Sequence, residues 1–222
     1  MVELTFLQKR VLEELTKSPL KEKFYWSGGT ALSVFYLHHR QSNDLDFFSD
    51  TSFTYDQVIG FIRNLKQTLK LDEIEEKKIY DRWEFFLHNK GKLRLEFVFY
   101  NHPKLKTRKN QQGLLIDSLD DIAANKLMAF FDRNDPKDLF DLYYLITKAG
   151  YSLKKLIKLT EKKFGVKLQE ISVFSEASKS IDNLNELKPL LLTTNPKKQK
   201  KIIEAIRNYF KEKSNQELKR IL

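Results

Sequence analysis

Apolar residues recur along this chain in two rhythms, and the change between them divides the sequence. Over residues 3–17, Leu4, Leu7, Val11, Leu12 and Leu15 fall at three- and four-residue intervals, the period of a helix with one buried face. Phe24-Tyr-Trp26 is too short for a helix and predicts a strand that ends at Ser27-Gly28-Gly29. Thr30 to His39 then predicts a helix entered from that glycine turn. Asp44 to Phe48 alternates polar and apolar residues and predicts a second strand. Val58, Phe61, Ile62 and Leu65 share one face of a helix over 55–70. Strand-like runs follow at 71–79, 83–89 and 92–100, the last two joined by the turn residues Asn89-Lys-Gly91. In the third run Leu93, Leu95, Phe97 and Phe99 share one face, with Arg94, Glu96 and Val98 on the other. A basic loop carrying Lys104, Lys106, Arg108 and Lys109 closes this half.

From about residue 113 only the helical rhythm remains. Ser118-Leu-Asp-Asp121 has the form of a capping box and opens a helix through Phe131. Asp135-Pro136 starts another, with proline at its first position. Further helices are predicted over 152–164, 168–182 and 197–213. The expectation is an α+β chain: a mixed sheet flanked by helices in residues 1–112, then a helical domain in residues 113–222.

Composition narrows the chemistry. Apolar residues make up 41% of the 222 positions and charged residues 32%, with 7 Gly and 5 Pro, the profile of a folded chain. The absence of cysteine excludes disulfides, thiolate catalysis and Cys-ligated metal centres. The first residues are amphipathic, with Glu3 among them, and no run reaches the roughly 20 apolar residues of a membrane span, so a cytoplasmic protein is expected. Net charge is +10 and unevenly placed: residues 1–50 hold 6 Lys/Arg against 7 Asp/Glu, residues 186–222 hold 10 against 4. Such asymmetry suits a polyanionic partner, nucleic acid being the usual one; a Lys-rich solvated surface explains it equally well.

Asp44 and Asp46 are the sharpest feature. Residues two apart on a strand project from the same face, which brings two carboxylates within reach of one hard cation such as Mg²⁺. An Asp-x-Asp alone is usually just solvated; its setting adds weight. Gly28-Gly29 lies between a strand and a helix, where backbone N–H groups can approach a phosphate, and Thr30 offers a hydroxyl. Arg40 and Ser42 put a cation and a hydroxyl beside the acids. Glu96 lies in an apolar strand, where a lone carboxylate is costly unless paired or metal-bound, and a third carboxylate beside a metal pair can accept a proton from an attacking hydroxyl. Read singly, each has an ordinary alternative: a tight turn, a surface cap, a half-exposed strand.

Taken together, Trp26-Ser-Gly-Gly-Thr-Ala-Leu32 and His39-Arg-Gln-Ser-Asn-Asp-Leu-Asp-Phe-Phe48 resemble the AbiEii/AbiGii toxin family of polymerase-beta-like nucleotidyltransferases. Asp121-Ile-Ala-Ala-Asn-Lys-Leu127 resembles that family's lysine helix. Arg133 with Pro136-Lys-Asp-Leu-Phe-Asp-Leu142 resembles its late acidic segment. The likeness runs from about residue 24 to 146, in the family's order. It implies a nucleotidyltransferase-type sheet and a helical domain that completes the active site. By position it implies that Gly29 and Thr30 contact phosphate, with Thr for the usual Ser, and that Asp44 and Asp46 bind metal; Gly28 completes the turn that would hold the phosphates. Lys126 would contact nucleotide phosphates, and Asp138 and Asp141 would form the late acidic pair, Asp138 being the catalytically important one. Glu96 stands where the superfamily more often has Asp. Without the resemblance, Asp138 reads as a helix-cap residue, Lys137 and Asp141 as a surface ion pair, and Lys126 as a solvated lysine.

The activity implied is Mg²⁺-dependent transfer (Mn²⁺ as a substitute) of a nucleoside monophosphate from an NTP to a hydroxyl, with tRNA 3′ ends or another RNA as acceptor. A toxin role beside an antitoxin, or in phage defence, is implied likewise. Two rival expectations are nucleotidylation of a protein or small-molecule hydroxyl, and a regulator that binds nucleotide or RNA without turnover. The four histidines, His38, His39, His88 and His102, lack zinc-site spacing and are read as structural.

Overall fold

The computed structural model describes residues 2–221. The chain forms two compact units. The first runs through His38 and resumes from Ser42 to Ser118; the second comprises His39–Gln41 and the residues from Leu119 onward.

The first unit opens with α1 (Phe6–Lys17), three residues later than its apolar pattern begins. Thr5 sets that start: its hydroxyl accepts the Gln8 N–H at 3.2 Å, and the Gln8 side chain accepts the Thr5 N–H at 2.9 Å, a closed capping box. A 3₁₀ turn (Pro19–Glu22) leads to β1 (Tyr25–Ser27). The helix that follows starts two residues earlier than expected, as α2 (Gly28–Ala31), then widens into a π-helical stretch (Leu32–Leu37). It stops at His38, which takes a left-handed backbone at φ 46°. Next come β2 (Leu45–Ser49), α3 (Tyr55–Thr68), β3 (Glu73–Ile79), β4 (Arg82–His88) and β5 (Lys92–Phe99). The expected basic loop is in part a small hairpin, β6 (Lys109–Gln111) and β7 (Leu114–Ile116), turning on Gln112-Gly113.

Among the described residues seven strands form one sheet in the order β3-β4-β5-β2-β1-β7-β6. The β2–β5 and β1–β7 pairs are parallel and the others antiparallel, so the sheet is mixed. One face is apolar and buried. Phe97 lies at its centre, with the rings of Phe24, Phe47, Phe61 and Phe85 at centroid distances of 5.0, 5.4, 6.3 and 6.2 Å. The period-2 alternation of β2, β4 and β5 puts Asp46, Arg82, Glu84, Arg94 and Glu96 on the opposite face, together with Phe48, Phe86 and Val98.

The second unit is helical: α4 (Leu119–Arg133), α5 (Pro136–Thr147), α6 (Leu153–Phe164), α7 (Glu170–Ser180) and α8 (Pro196–Ile221). Helix α4 packs on α5 and α6, and α7 on α8. Asp135 caps α5, its carboxylate accepting the Lys137 N–H at 2.8 Å, so the cap is Asp135 and Asp138 faces inward. The helix expected over 168–182 is shorter and is followed by a 3₁₀ segment (Ile181–Leu190). No helix among the described residues is long and apolar enough to cross a membrane.

Candidate active site

Strand register assembles the polar face of the sheet. Glu84 of β4 pairs with Glu96 of β5, Glu96 with Asp46 of β2, and Asp46 with Ser27 of β1. Asp117, the residue after β7, continues the line: it accepts the Ser27 hydroxyl at 3.0 Å, and its N–H donates to the Trp26 carbonyl. Five polar residues from five strands or strand ends thus form one transverse row.

The glycine turn sits directly over this row. Gly28 has φ +75°, and a β-carbon there would lie 1.9 Å from Oδ2 of Asp46, so only glycine lets the turn approach the aspartate. The Thr30 hydroxyl donates to the backbone carbonyl of Asp44, tying the turn to the residue before β2. Asp44 therefore lies just outside the strand where alternation placed it. Asp117 fixes the turn from the other side. Besides Ser27, it receives the Tyr36 hydroxyl on its carbonyl at 2.7 Å, which anchors the π-helical stretch. Arg108 stacks on the Tyr25 ring at 3.3 Å and grips Asp50 through both terminal nitrogens, at 2.5 and 2.7 Å.

The acids do not form a ready-made metal cage: among the described residues no three His, Asp or Glu side chains are grouped to hold an ion by themselves. They gather around Arg94. Its Nη2 lies 3.1 Å from Glu96 and 3.4 Å from Asp46, its Nη1 3.4 Å from Glu84, and its Nε 3.7 Å from Asp44. Arg82 adds a second contact to Glu96 at 2.9 Å. Burial, and then the charge of Asp46, push the Glu96 carboxyl up to about 7 against the pull of the two arginines. Glu84 and Arg94 escaped the sequence reading of the site. Their only signal is the pair of Arg-x-Glu spacings on consecutive strands, and register was needed to join them.

The donor set suits Mg²⁺. It offers hard carboxylate oxygens, two of them beside a turn built for close approach, and this ion is usually held by one or two carboxylates with substrate phosphates completing the shell.

Four of the remaining expected site residues, Arg40, Lys126, Asp138 and Asp141, lie in the helical unit, in a buried network of their own. Arg40 grips Asp141 with a two-pronged fork, Nε–Oδ1 2.7 Å and Nη2–Oδ2 2.9 Å, and is 3% exposed. That fork engages the guanidinium that the sequence suggested as a free cation beside the acids. Lys126 lies 2.9 Å from Asp138 and 2.7 Å from Asp141, all three buried. Arg133 closes the far side of Asp138 at 2.7 Å. Asp141 also meets His39 Nε2 at 2.6 Å, so it is a fully enclosed hub and not half of a surface pair with Lys137. Arg40 and Lys126 hold the Asp141 carboxyl well below the usual carboxylate range despite its burial. Burial pushes the His39 imidazole below its ordinary value, against the opposing pull of Asp141. Ser42 offers its carbonyl to the Gln8 amide at 3.0 Å, in the sheet unit.

By fold and by descent the chain is a nucleotidyltransferase. Residues 10–221 match the family described as the nucleotidyl transferase AbiEii toxin of type IV toxin–antitoxin systems, and the chain belongs to it. An uncharacterized protein of Aquifex aeolicus is 30% identical over 181 residues, covering 78% of this chain and 84% of that protein. Solved structures share the fold. A putative nucleotidyltransferase from Helicobacter pylori has a TM-score of 0.59 at 19% identity, covering 95% of this chain and 94% of that one. The nucleotidyltransferase toxin MenT4 from Mycobacterium tuberculosis has a TM-score of 0.52 at 13% identity, covering 90% and 82%.

Proposed function

We propose that this chain transfers a nucleoside monophosphate from an NTP to the 3′ hydroxyl of a tRNA, with release of pyrophosphate, and that it needs Mg²⁺ to do so. The observation that carries this reading is the close approach of Gly28 to Asp46, which sets a glycine turn leading into a helix against one of the two aspartates. Asp44 and Asp46, with Glu96 beside them, would hold the metal, which supplies charge neutralisation at the triphosphate. The N–H groups of the turn from Gly28 to Thr30 would bind the phosphates. In the metal-free chain burial and Asp46 push the Glu96 carboxyl up to about 7, which favours it over Asp138 as the proton acceptor. Asp138 is held below its ordinary range by Lys126 and Arg133 despite burial and is a weaker base. The resemblance gives Lys126 a phosphate role; its enclosure by two carboxylates supports a strut that shapes the helical unit instead. The exposed lysines of α8 supply positive charge suited to an RNA acceptor.

Incubation with labelled NTPs, Mg²⁺ and total RNA tests the reading. Label is expected in the tRNA fraction for the wild type and not for Asp46→Ala; equal labelling, or none, rejects it, and label in protein would move the acceptor to another class. A toxic role with a cognate antitoxin, and action in phage defence, extend the proposal. Expression should arrest growth in a manner that Asp46→Ala relieves.

A further inference from the structure

We propose that Arg94 is the resident counter-cation of the acid row, and that it must leave Asp46 and Glu96, while staying on Glu84, before a divalent metal is taken up. This rests on the reading that Asp44 and Asp46 bind metal.

The geometry of Arg94 is that of a ligand ready to move. The guanidinium reaches four carboxylates at 3.1 to 3.7 Å and makes a two-pronged fork with none of them. Arg40, by contrast, holds Asp141 at 2.7 and 2.9 Å with 3% exposure. A bidentate, enclosed pair is locked, whereas long, shared contacts on a side chain that is 26% exposed give up little when one is broken. Arg94 sits on Oδ1 of Asp46 and Oε2 of Glu96, and Arg82 on the other Glu96 oxygen, so a dication approaching those oxygens meets a guanidinium charge already in contact with them.

Charge points the same way. The carboxylates that Arg94 reaches are Asp44, Asp46, Glu84 and Glu96. In the fully ionised state that a bound dication favours, they carry four negative charges against two positive ones from Arg82 and Arg94, so one divalent ion balances the group with Arg94 moved aside and not expelled. Glu84 is the acid placed to keep it: it lies at the far end of the row from the glycine turn, and Arg94 Nη1 already touches it. Glu84 thereby acquires a use that metal binding alone does not give it.

Mn²⁺ binding to the full chain without nucleotide, followed by paramagnetic resonance and calorimetry, tests this. Arg94→Gln should bind Mn²⁺ at least about tenfold more tightly than the wild type, since a competing charge in contact with the ligands has gone. Arg82→Gln removes the same charge from the row but touches Glu96 and Glu84 and not Asp46, so its gain should be clearly smaller. Arg94→Lys, which keeps the charge but has one nitrogen in place of three to share among the acids, should fall between wild type and Arg94→Gln, and it carries the test if Arg94→Gln does not fold. Unchanged or weaker binding in Arg94→Gln overturns the proposal, as does an equal gain in Arg82→Gln. If the wild type binds metal and Asp46→Asn does not, the metal reading survives that failure. Binding by neither wild type nor Arg94→Gln rejects both.

Discussion

Asp46 occupies the space that a β-carbon on Gly28 would need. The overlap, at 1.9 Å from Oδ2, coincides with a backbone φ of +75° that only glycine adopts without strain. Gly28→Ala must therefore displace either the turn or the aspartate. Nucleotide transfer should fall at least about a hundredfold, since a displacement near 1 Å is enough for that, and stability should drop by about 1–3 kcal/mol. Gly60→Ala in α3 is the control: a β-carbon there meets nothing within 4 Å, so activity should hold and stability should stay level or rise. Transfer rates and denaturant midpoints read both.

The hub at Asp141 predicts a pH response of the helical unit. His39 has a lowered pKa in the fold, so the unfolded chain takes up a proton first as pH falls. Stability should then decline below about pH 6.5, with a slope of at most about 1.4 kcal/mol per pH unit from this group. His39→Gln should remove that part of the decline. Asp141 has the opposite character: its depressed pKa contributes stability above about pH 4, lost as the pH falls through its lower folded value. Thermal melts from pH 8 to pH 3 separate the two.

Lys126 and Arg133 both face Asp138, yet their removal should differ. Lys126 is buried and also faces Asp141, so Lys126→Met leaves an enclosed negative charge short of a partner and should cost about 3–5 kcal/mol. The Arg133 side chain is 52% exposed and Lys126 remains behind it, so Arg133→Ala should cost about 1 kcal/mol or less. Urea denaturation decides it; equal losses would argue against the strut reading of Lys126.

Lys197, Lys198, Lys200 and Lys201 are exposed on the first turns of α8. Changing all four to Glu should weaken tRNA binding and flatten its salt dependence, by about 0.9 in slope for each phosphate that is no longer neutralised. Filter binding between low and physiological salt measures it. A variant with unaltered slope would leave α8 out of acceptor binding.

Much of this fold could be read from the chain. Alternation in β2 and β5 and the spacing in α1 and α3 were clear because each of these elements buries one apolar face. What escaped has physical causes. Strands β6 and β7 are three residues each, and Lys109-Asn-Gln111 is exposed throughout, so no pattern of burial marks it. The α2 helix widens to a π form where Tyr36 reaches the Asp117 carbonyl, a contact across 81 residues that local sequence does not encode. The candidate site was legible in part. Asp46 and Glu96 share a register, and the glycine turn meets Asp46. Glu84, Arg94 and Asp117 were invisible because only strand order puts them in line. Arg40 and Asp141 are 101 residues apart, and spacing alone gave each a surface role that burial rules out.

That distance also sets an order of events during synthesis. Arg40 belongs to the helical unit although it is made within the first part of the chain, and its fork must wait for Asp141. At about 5–20 residues per second the wait is roughly 5–20 seconds, during which a charge destined for the interior has no partner. The segment His39–Gln41 is thus an early-made piece whose folding is gated by a late-made carboxylate, and any nascent chain stalled before α5 carries it unfinished.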